Sequence, residues 1–340
     1  MIRSILIVGG VAETNVGLSL HEAAASLGIS SNLMDSSEAF VGPKLLRALN
    51  WRLLGRRPVR IKKFSQFVVD ACQRLRPDVL IATGVAPLFS KALHEVAALG
   101  VKRINFQTDD PWNPAHRAQW YLDALSEYDH IFTPRSANLP QLQAVATGSV
   151  AYLPFGYDAR LFYAETNIDA LASVAASDVI LVGGADPDRL EIVQKLIAAG
   201  FNLALYGGYW DRYPFARPFY RGMASSAVMR AAHANAKVAI GMVRRANRDG
   251  HSMRTFELAA MGACCLMEQT QDHRKLFGPE AESVLYFSSS ESLVEKCRLL
   301  CADETLRTRL RFKVRKKVEL GHSYRDRLLS MLRATGLDGA

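Results

Sequence analysis

The chain has 340 residues, a formal charge of +9, 49% apolar residues and 22% charged ones, figures ordinary for a globular protein with room for two domains. No uninterrupted apolar run reaches the roughly 18 residues of a membrane-spanning helix. The opening MIRSILIVGGVAETN reads as a first strand, because its apolar run is short and leads into a glycine turn where a signal peptide would have a small-residue cleavage site.

In chain order the first half alternates strands and helices. SILIVGG (4–10) is a buried strand with a glycine turn, and VGLSLHEAAASLG (16–28) a helix with a glycine stop. SNLMDS (31–36) is a strand, KFSQFVVDACQRLRP (63–77) a helix halted by proline, DVLIATG (78–84) a strand and APLFSKALHEVAALG (86–100) a helix. RINFQTDDP (103–111) and HIFTPR (130–135) are strands, SANLPQLQAVATG (136–148) a helix and VAYLPFG (150–156) a last strand. The pattern restarts after a break between Asp158 and Ser177. DVILVGG opens strand, loop and helix over 178–200, followed by the strand FNLALYGG (201–208), the helix SSAVMRAAHANA (225–236) and the strand KVAIGM (237–242). RTFELAAMG (254–262) is a helix, CCLME (264–268) and SVLYFSS (283–289) are strands, 290–320 is one or two helices and 323–336 a closing helix. Repeated βα units with short glycine turns predict α/β architecture: two Rossmann-like domains, each a parallel sheet covered on both faces, facing a central cleft. The predicted domains are 1–157 and 158–322, and ligands are expected at the carboxyl ends of the strands.

Five cysteines, Cys72, Cys264, Cys265, Cys297 and Cys301, form no CxxC pair, so packing of reduced thiols is expected rather than a zinc site. The positive charge is clustered. Residues 43–63 hold eight basic residues and no acid, and residues 307–317 hold seven. Such patches suit nucleic acid, anionic lipid or a phosphorylated substrate, or are solvated helix faces. The leucines and Trp51 interleaved in the first patch suit a membrane surface, and no nucleic-acid-binding motif is present, so none is expected as a partner.

VGGVAETNVG (8–17) does not fit the dinucleotide fingerprint, yet a turn carrying Gly10 lets backbone approach a ligand. Gly183 and Gly184, and then Gly208, offer the same after two strands of the second half. The segment VRRANRDGHSMRTFE (243–257) is more specific. Arginines cluster around a helix start, where the dipole disfavours cations unless an anion lies between. With the helix starting near Thr255, its free N–H groups and Arg254 would together meet a diphosphate, and Glu257 could accept both hydroxyls of a ribose. Arg245, Asn247 and His251 are further candidates for donor or diphosphate contact. Asp109 and Asp110 stand at a strand's carboxyl end, where a carboxylate can deprotonate an acceptor hydroxyl or simply cap the turn before Pro111. Trp112 could stack on a sugar or pack in the core.

HSMRTFELAAMG and its continuation to Arg311 resemble the donor-binding region of GT-B glycosyltransferases, and more narrowly the CgeB-like spore-maturation group related to families 1 and 4. AYLPFGYDARLFY (151–163), INFQTDDPWNP (104–114), YDHIFTPR (128–135) and GHSYRDRLLSML (321–332) fit as well. The resemblance implies a hexosyltransferase-type enzyme that moves a sugar from a nucleoside diphosphate sugar to an acceptor hydroxyl, in cell-surface polysaccharide, glycolipid or natural-product glycosylation. It implies Glu257 on the ribose, Arg254 on the diphosphate and a closing helix (323–338) that crosses back onto the first domain. Related retaining enzymes carry two acids eight positions apart; here the earlier position is Asp249, a shorter acid, assigned to the donor sugar. The resemblance implies no metal and no cofactor beyond the nucleotide-sugar co-substrate. It leaves open an acceptor that is lipid-linked, met by peripheral membrane contact through 43–63 from the cytoplasmic side. The alternatives are a non-catalytic nucleotide-sugar or polyanion binder, and a nucleotide-sugar epimerase of the same fold.

Overall fold

The computed structural model describes residues 2–115 and 117–337. The chain divides into two compact units: Met1–Phe155 with Arg244–Asp249 and Tyr324–Ala340, and Gly156–Val243 with Gly250–Ser323. The predicted α/β architecture is present in both.

In the first unit, the described strands β1 (Ser4–Gly9), β2 (Ser30–Asp35), β3 (Val79–Thr83), β4 (Lys102–Phe106), β5 (His130–Thr133) and β6 (Ser149–Tyr152) form one parallel sheet in the order β2-β1-β3-β4-β5-β6. Central β1 is apolar at every buried position, because both its faces are covered; Ile7 stands opposite Leu33 on one side and Ile81 on the other. The turn after β1 is closely packed. A side chain at Gly9 or Gly17 would strike the other's backbone, and one at Gly10 would strike Asn15.

The closing helix Tyr324–Ala334 packs against the helix Val16–Ser26. Its Arg327 is buried and donates from Nε (3.1 Å) and Nη2 (2.9 Å) to the Phe155 carbonyl. Asp338, the last residue of the predicted closing helix, lies outside the described residues.

The second unit holds β7 (Ser177–Val182), β8 (Leu203–Tyr206), β9 (Ala236–Gly241), β10 (Cys265–Glu268) and β11 (Leu285–Phe287), parallel in the order β11-β10-β9-β7-β8. Leu181 of β7 pairs with Leu205 on one side and Ile240 on the other. The stretch 290–320 is two helices, Ser290–Ala302 and Glu304–Glu319; the Asp303 carboxylate between them accepts the Leu306 N–H and caps the second. Cys264 falls just before β10 rather than inside it. All five cysteines are free thiols, and burial pushes those of Cys72 and Cys264 up to about 11.

The helix Lys44–Leu53 lies in a stretch read from sequence only as a basic, leucine-bearing surface, and none of its residues is buried.

The turns after β7 and β8 meet closely. Ala185 N–H donates to Gly208 O at 2.9 Å, and a Cβ on Gly207 would lie 2.5 Å from the carbonyl carbon of Gly183. Gly207 also has φ +123°, a conformation L side chains rarely adopt. Gly207→Ala is expected to destabilise the second unit by about 2–4 kcal/mol, read as a lower denaturant midpoint in chemical unfolding.

Candidate functional site

The carboxyl edge of the second sheet brings together three backbone features from adjacent strands β9, β7 and β8. Two are the glycine turns. Gly183 O accepts the Trp210 indole N–H at 2.7 Å, and Gly184 O accepts from Arg189 Nη1 at 2.9 Å. A side chain at Gly208 would enter open space. Trp210 is fully buried and so is not available for stacking, whereas Tyr209 is exposed, with the Arg212 guanidinium 4.3 Å from its ring centroid.

The third feature is the helix Met253–Ala260, which begins two residues earlier than expected, behind Ser252. Its start is fixed by a hydrogen-bond chain. Thr255 Oγ1 accepts the Ser252 N–H at 3.2 Å and lies 3.0 Å from His273 Nε2, while His273 Nδ1 lies 2.6 Å from the Glu268 carbonyl. The carbonyl can only accept, so Nδ1 carries the proton and Nε2 accepts from the Thr255 hydroxyl. Thr255, 1% exposed, is therefore a structural cap rather than a ligand group. Gly250 precedes the helix where a Cβ would lie 2.3 Å from the Asp272 carboxylate. His251 is wholly buried, its Nδ1 3.6 Å from Asp272 Oδ2 and its ring edge-on to Phe256, so it corrects the expectation of a donor contact from this side chain.

Arg254 and Glu257 lie one turn apart. Arg254 Nη1 is 2.6 Å from Glu257 Oε2, an ion pair whose geometry is not that of an aligned hydrogen bond. Glu257 falls in the second turn, so stabilisation of a first-turn acid by the dipole does not account for it. It is 4% exposed, and its Oε2 makes no hydrogen bond among the described residues. Burial raises its pKa and the Arg254 charge opposes that rise. Arg254 keeps a partly exposed guanidinium with donors to spare.

In the first unit, Gln107 to Asn113 follow β4. Asp110 is 2% exposed and saturated. Arg248 binds it through Nε to Oδ2 (2.6 Å) and Nη2 to Oδ1 (2.8 Å), while Asn138 Nδ2 (2.9 Å) and the Trp112 N–H (3.0 Å) donate to Oδ1. Burial raises its pKa, but these donors outweigh burial and hold the carboxyl below its usual range. The segment 244–249 is thereby fastened within this unit: Asn113 Nδ2 donates to Ala246 O (3.0 Å) and Asn247 Oδ1 (2.8 Å), and Arg248 Nη2 to Gln141 Oε1 (2.8 Å). Asp249 Oδ1 lies 2.6 Å from Arg135 Nε, both side chains buried. Burial raises the Asp249 pKa, with Arg135 pulling it down.

The Asp110 contacts correct one expectation: a base needs a carboxylate with free valence, and Asp110 is saturated. Asp249 is ion-paired with Arg135, and its Oδ1, like Glu257 Oε2, makes no aligned hydrogen bond. Asp109 differs: it is half-buried and enters no ion pair among the described residues. Trp112 packs partly buried against the first core, and Arg245 is exposed. Arg135 and His273 were missed by the sequence reading, because only the fold supplies their partners; Arg248, one of the arginines clustered before the helix, is committed to Asp110. Among the described residues no group of three His, Cys, Asp or Glu side chains is placed to hold a metal.

Residues 189–333 match a protein-family model described as "Glycosyl transferase-like". The chain carries a glycosyl transferase-like domain. No curated protein matches the chain. Among solved structures, sucrose-phosphate synthase from Thermosynechococcus elongatus matches with TM-score 0.68 at 14% identity, covering 98% of each chain. The α,α-trehalose 6-phosphate synthase of Burkholderia multivorans gives 0.65 at 12%, covering 100% of both. Anabaena HepE, solved in complex with UDP and glucose, gives 0.64 at 12%, covering 99% of this chain and 100% of that one. At such identities the likeness establishes the fold, that of GT-B glycosyltransferases.

The pinned helix start has a pH signature. Burial lowers the His273 pKa to about 4, and that of buried His233 likewise. Each histidine is neutral when folded and binds a proton near pH 6.5 when unfolded, so its contribution to stability is complete above about pH 6.5 and is lost as pH falls toward 4. Unfolding free energy is expected to drop over that window by on the order of 3 kcal/mol per histidine, and His273→Gln should flatten the slope measured by chemical denaturation at a series of pH values.

Proposed function

We propose that the protein is a metal-independent glycosyltransferase that moves a sugar from a nucleoside diphosphate sugar to an acceptor hydroxyl. The observation that carries this reading is Glu257: a buried carboxylate whose Oε2 has no hydrogen-bond donor, one turn along a helix whose start presents Arg254. An unsatisfied buried carboxylate is costly, and the two hydroxyls of a ribose are the donors that would satisfy it. The first-turn N–H groups of Met253–Ala260 and the spare donors of Arg254 would hold the diphosphate.

In the transfer the bond between the sugar and the diphosphate breaks while the acceptor oxygen bonds to the sugar carbon. Negative charge grows on the leaving phosphate oxygen, where the helix start and Arg254 stabilise it. Gly183, Gly184 and Gly208 leave room for the nucleotide against backbone. We assign to Asp109, which enters no ion pair among the described residues, the acceptor proton. Asp110 and Asp249 act as positioning residues that fasten the segment 244–249, which carries Arg245 and Asn247. The Arg-x-Phe-Glu spacing at 254–257, with the match over 189–333, supports membership of the CgeB-like group.

Calorimetric titration with UDP, dTDP, GDP, ADP and CDP tests the donor site. One diphosphate is expected to bind, and Arg254→Ala to weaken it by roughly 10–100-fold, the loss of one or two charge-assisted contacts. Glu257→Gln should weaken the ribonucleotide more than its 2′-deoxy counterpart. Absence of binding by all five, or variants that bind as the wild type does, would sink the reading.

A further inference from the structure

The two basic runs have different fates in the fold. In the helix Glu304–Glu319 the cations are largely spent on the protein itself. Arg307 donates to the carbonyls of Leu300 and Cys301, Arg311 to that of Ala236, Arg315 pairs with Glu319 and Lys317 with Glu282. The run from 43 to 63 is otherwise. Arg56 is used, donating to the carbonyls of Pro114 and Arg117, but Lys44, Arg47, Arg52, Arg60, Lys62 and Lys63 enter no ion pair among the described residues. No acid occurs between Glu38 and Asp70 to offer one.

The helix Lys44–Leu53 within this run buries none of its residues. At about 100° per residue, Leu45, Leu46, Leu49 and Leu53 fall in one sector, while Lys44, Arg47 and Trp51 fall opposite. Lys44, Arg47, Ala48 and Trp51 line a hollow of about 550 Å³ with Phe40 and Val59 and are themselves exposed. The leucine sector is left in water, with Leu45 84% and Leu53 71% exposed. A ten-residue helix is marginal by itself, and four solvated leucines on one stripe are a contiguous apolar surface that needs a cover.

We propose that this helix is a docking surface for an anionic lipid bilayer, lying in the plane of the interface with its leucines among the acyl chains and the surrounding cations on the lipid phosphates. Charge selects this occupant. An apolar stripe bordered by unpaired Lys and Arg, within thirty-one residues free of acids (39–69), is complementary to an anionic interface. It is mismatched to a second copy of the same chain, which would bring the same positive charge to the contact. The surface stands apart from the donor reading, because it uses none of the residues assigned to the nucleotide.

The test is co-sedimentation of the full chain with vesicles of phosphatidylcholine alone and of equal parts phosphatidylcholine and phosphatidylglycerol. Binding is expected to the anionic vesicles only and to weaken with salt. Leu49→Gln with Leu53→Gln should lower the partition coefficient by more than roughly tenfold, as should Arg47→Glu with Arg52→Glu. All four side chains are exposed, so the thermal midpoint of each variant should match the wild type, which separates lost docking from lost folding. Failure to sediment with anionic vesicles, or binding untouched by the leucine changes, overturns the proposal. So does a wild-type dimer in solution that the leucine changes dissociate, since that outcome assigns the face to a second copy.

Discussion

The start of the helix Met253–Ala260 depends on a hydrogen-bond chain centred on the buried Thr255 and His273. Ser252 N–H, Thr255 hydroxyl, His273 imidazole and Glu268 carbonyl follow in sequence, and they decide where the helix Met253–Ala260 begins. Moving that start by one residue would turn Arg254 and Glu257 by about 100° around the axis. The chain works only with a neutral imidazole, because Nε2 must accept. Burial supplies that condition by holding the His273 pKa near 4.

A second constraint is close approach of backbone to backbone. β7 and β8 end in paired glycines whose turns touch, leaving no room for a Cβ at Gly207. The same device recurs in the first unit, where Gly9 and Gly17 meet. In a parallel sheet all strands deliver their carboxyl ends to one edge, so the turns after β7 and β8 and the start of the helix Met253–Ala260 share that edge of the second sheet by topology.

Electrostatics sorts the arginines of 244–254 into different tasks. Arg248 neutralises Asp110 and fastens its own segment, and Arg254 faces Glu257. The two arginines are chemically identical in sequence. What separates them is whether a carboxylate saturates the guanidinium fork, and Asp110 does so for Arg248 through two bonds.

The sequence by itself determined the class of fold, because strand and helix periodicities and glycine turns are local. It also determined that a glycosyl transferase-like region lies around 254–257, since that stretch is continuous. Only the tertiary structure decided the fate of each candidate carboxylate. Asp109 and Asp110 are adjacent and alike as letters, yet Asp110 is saturated by Arg248 and Asn138 while Asp109 enters no ion pair among the described residues. Asp249 is claimed by Arg135, more than a hundred positions away. The leucines of Lys44–Leu53 are spaced as in any amphipathic helix, and only the structure shows that none of them is buried. Local patterns are written in neighbouring residues; burial and charge pairing arise between residues brought together by folding, and no spacing records them.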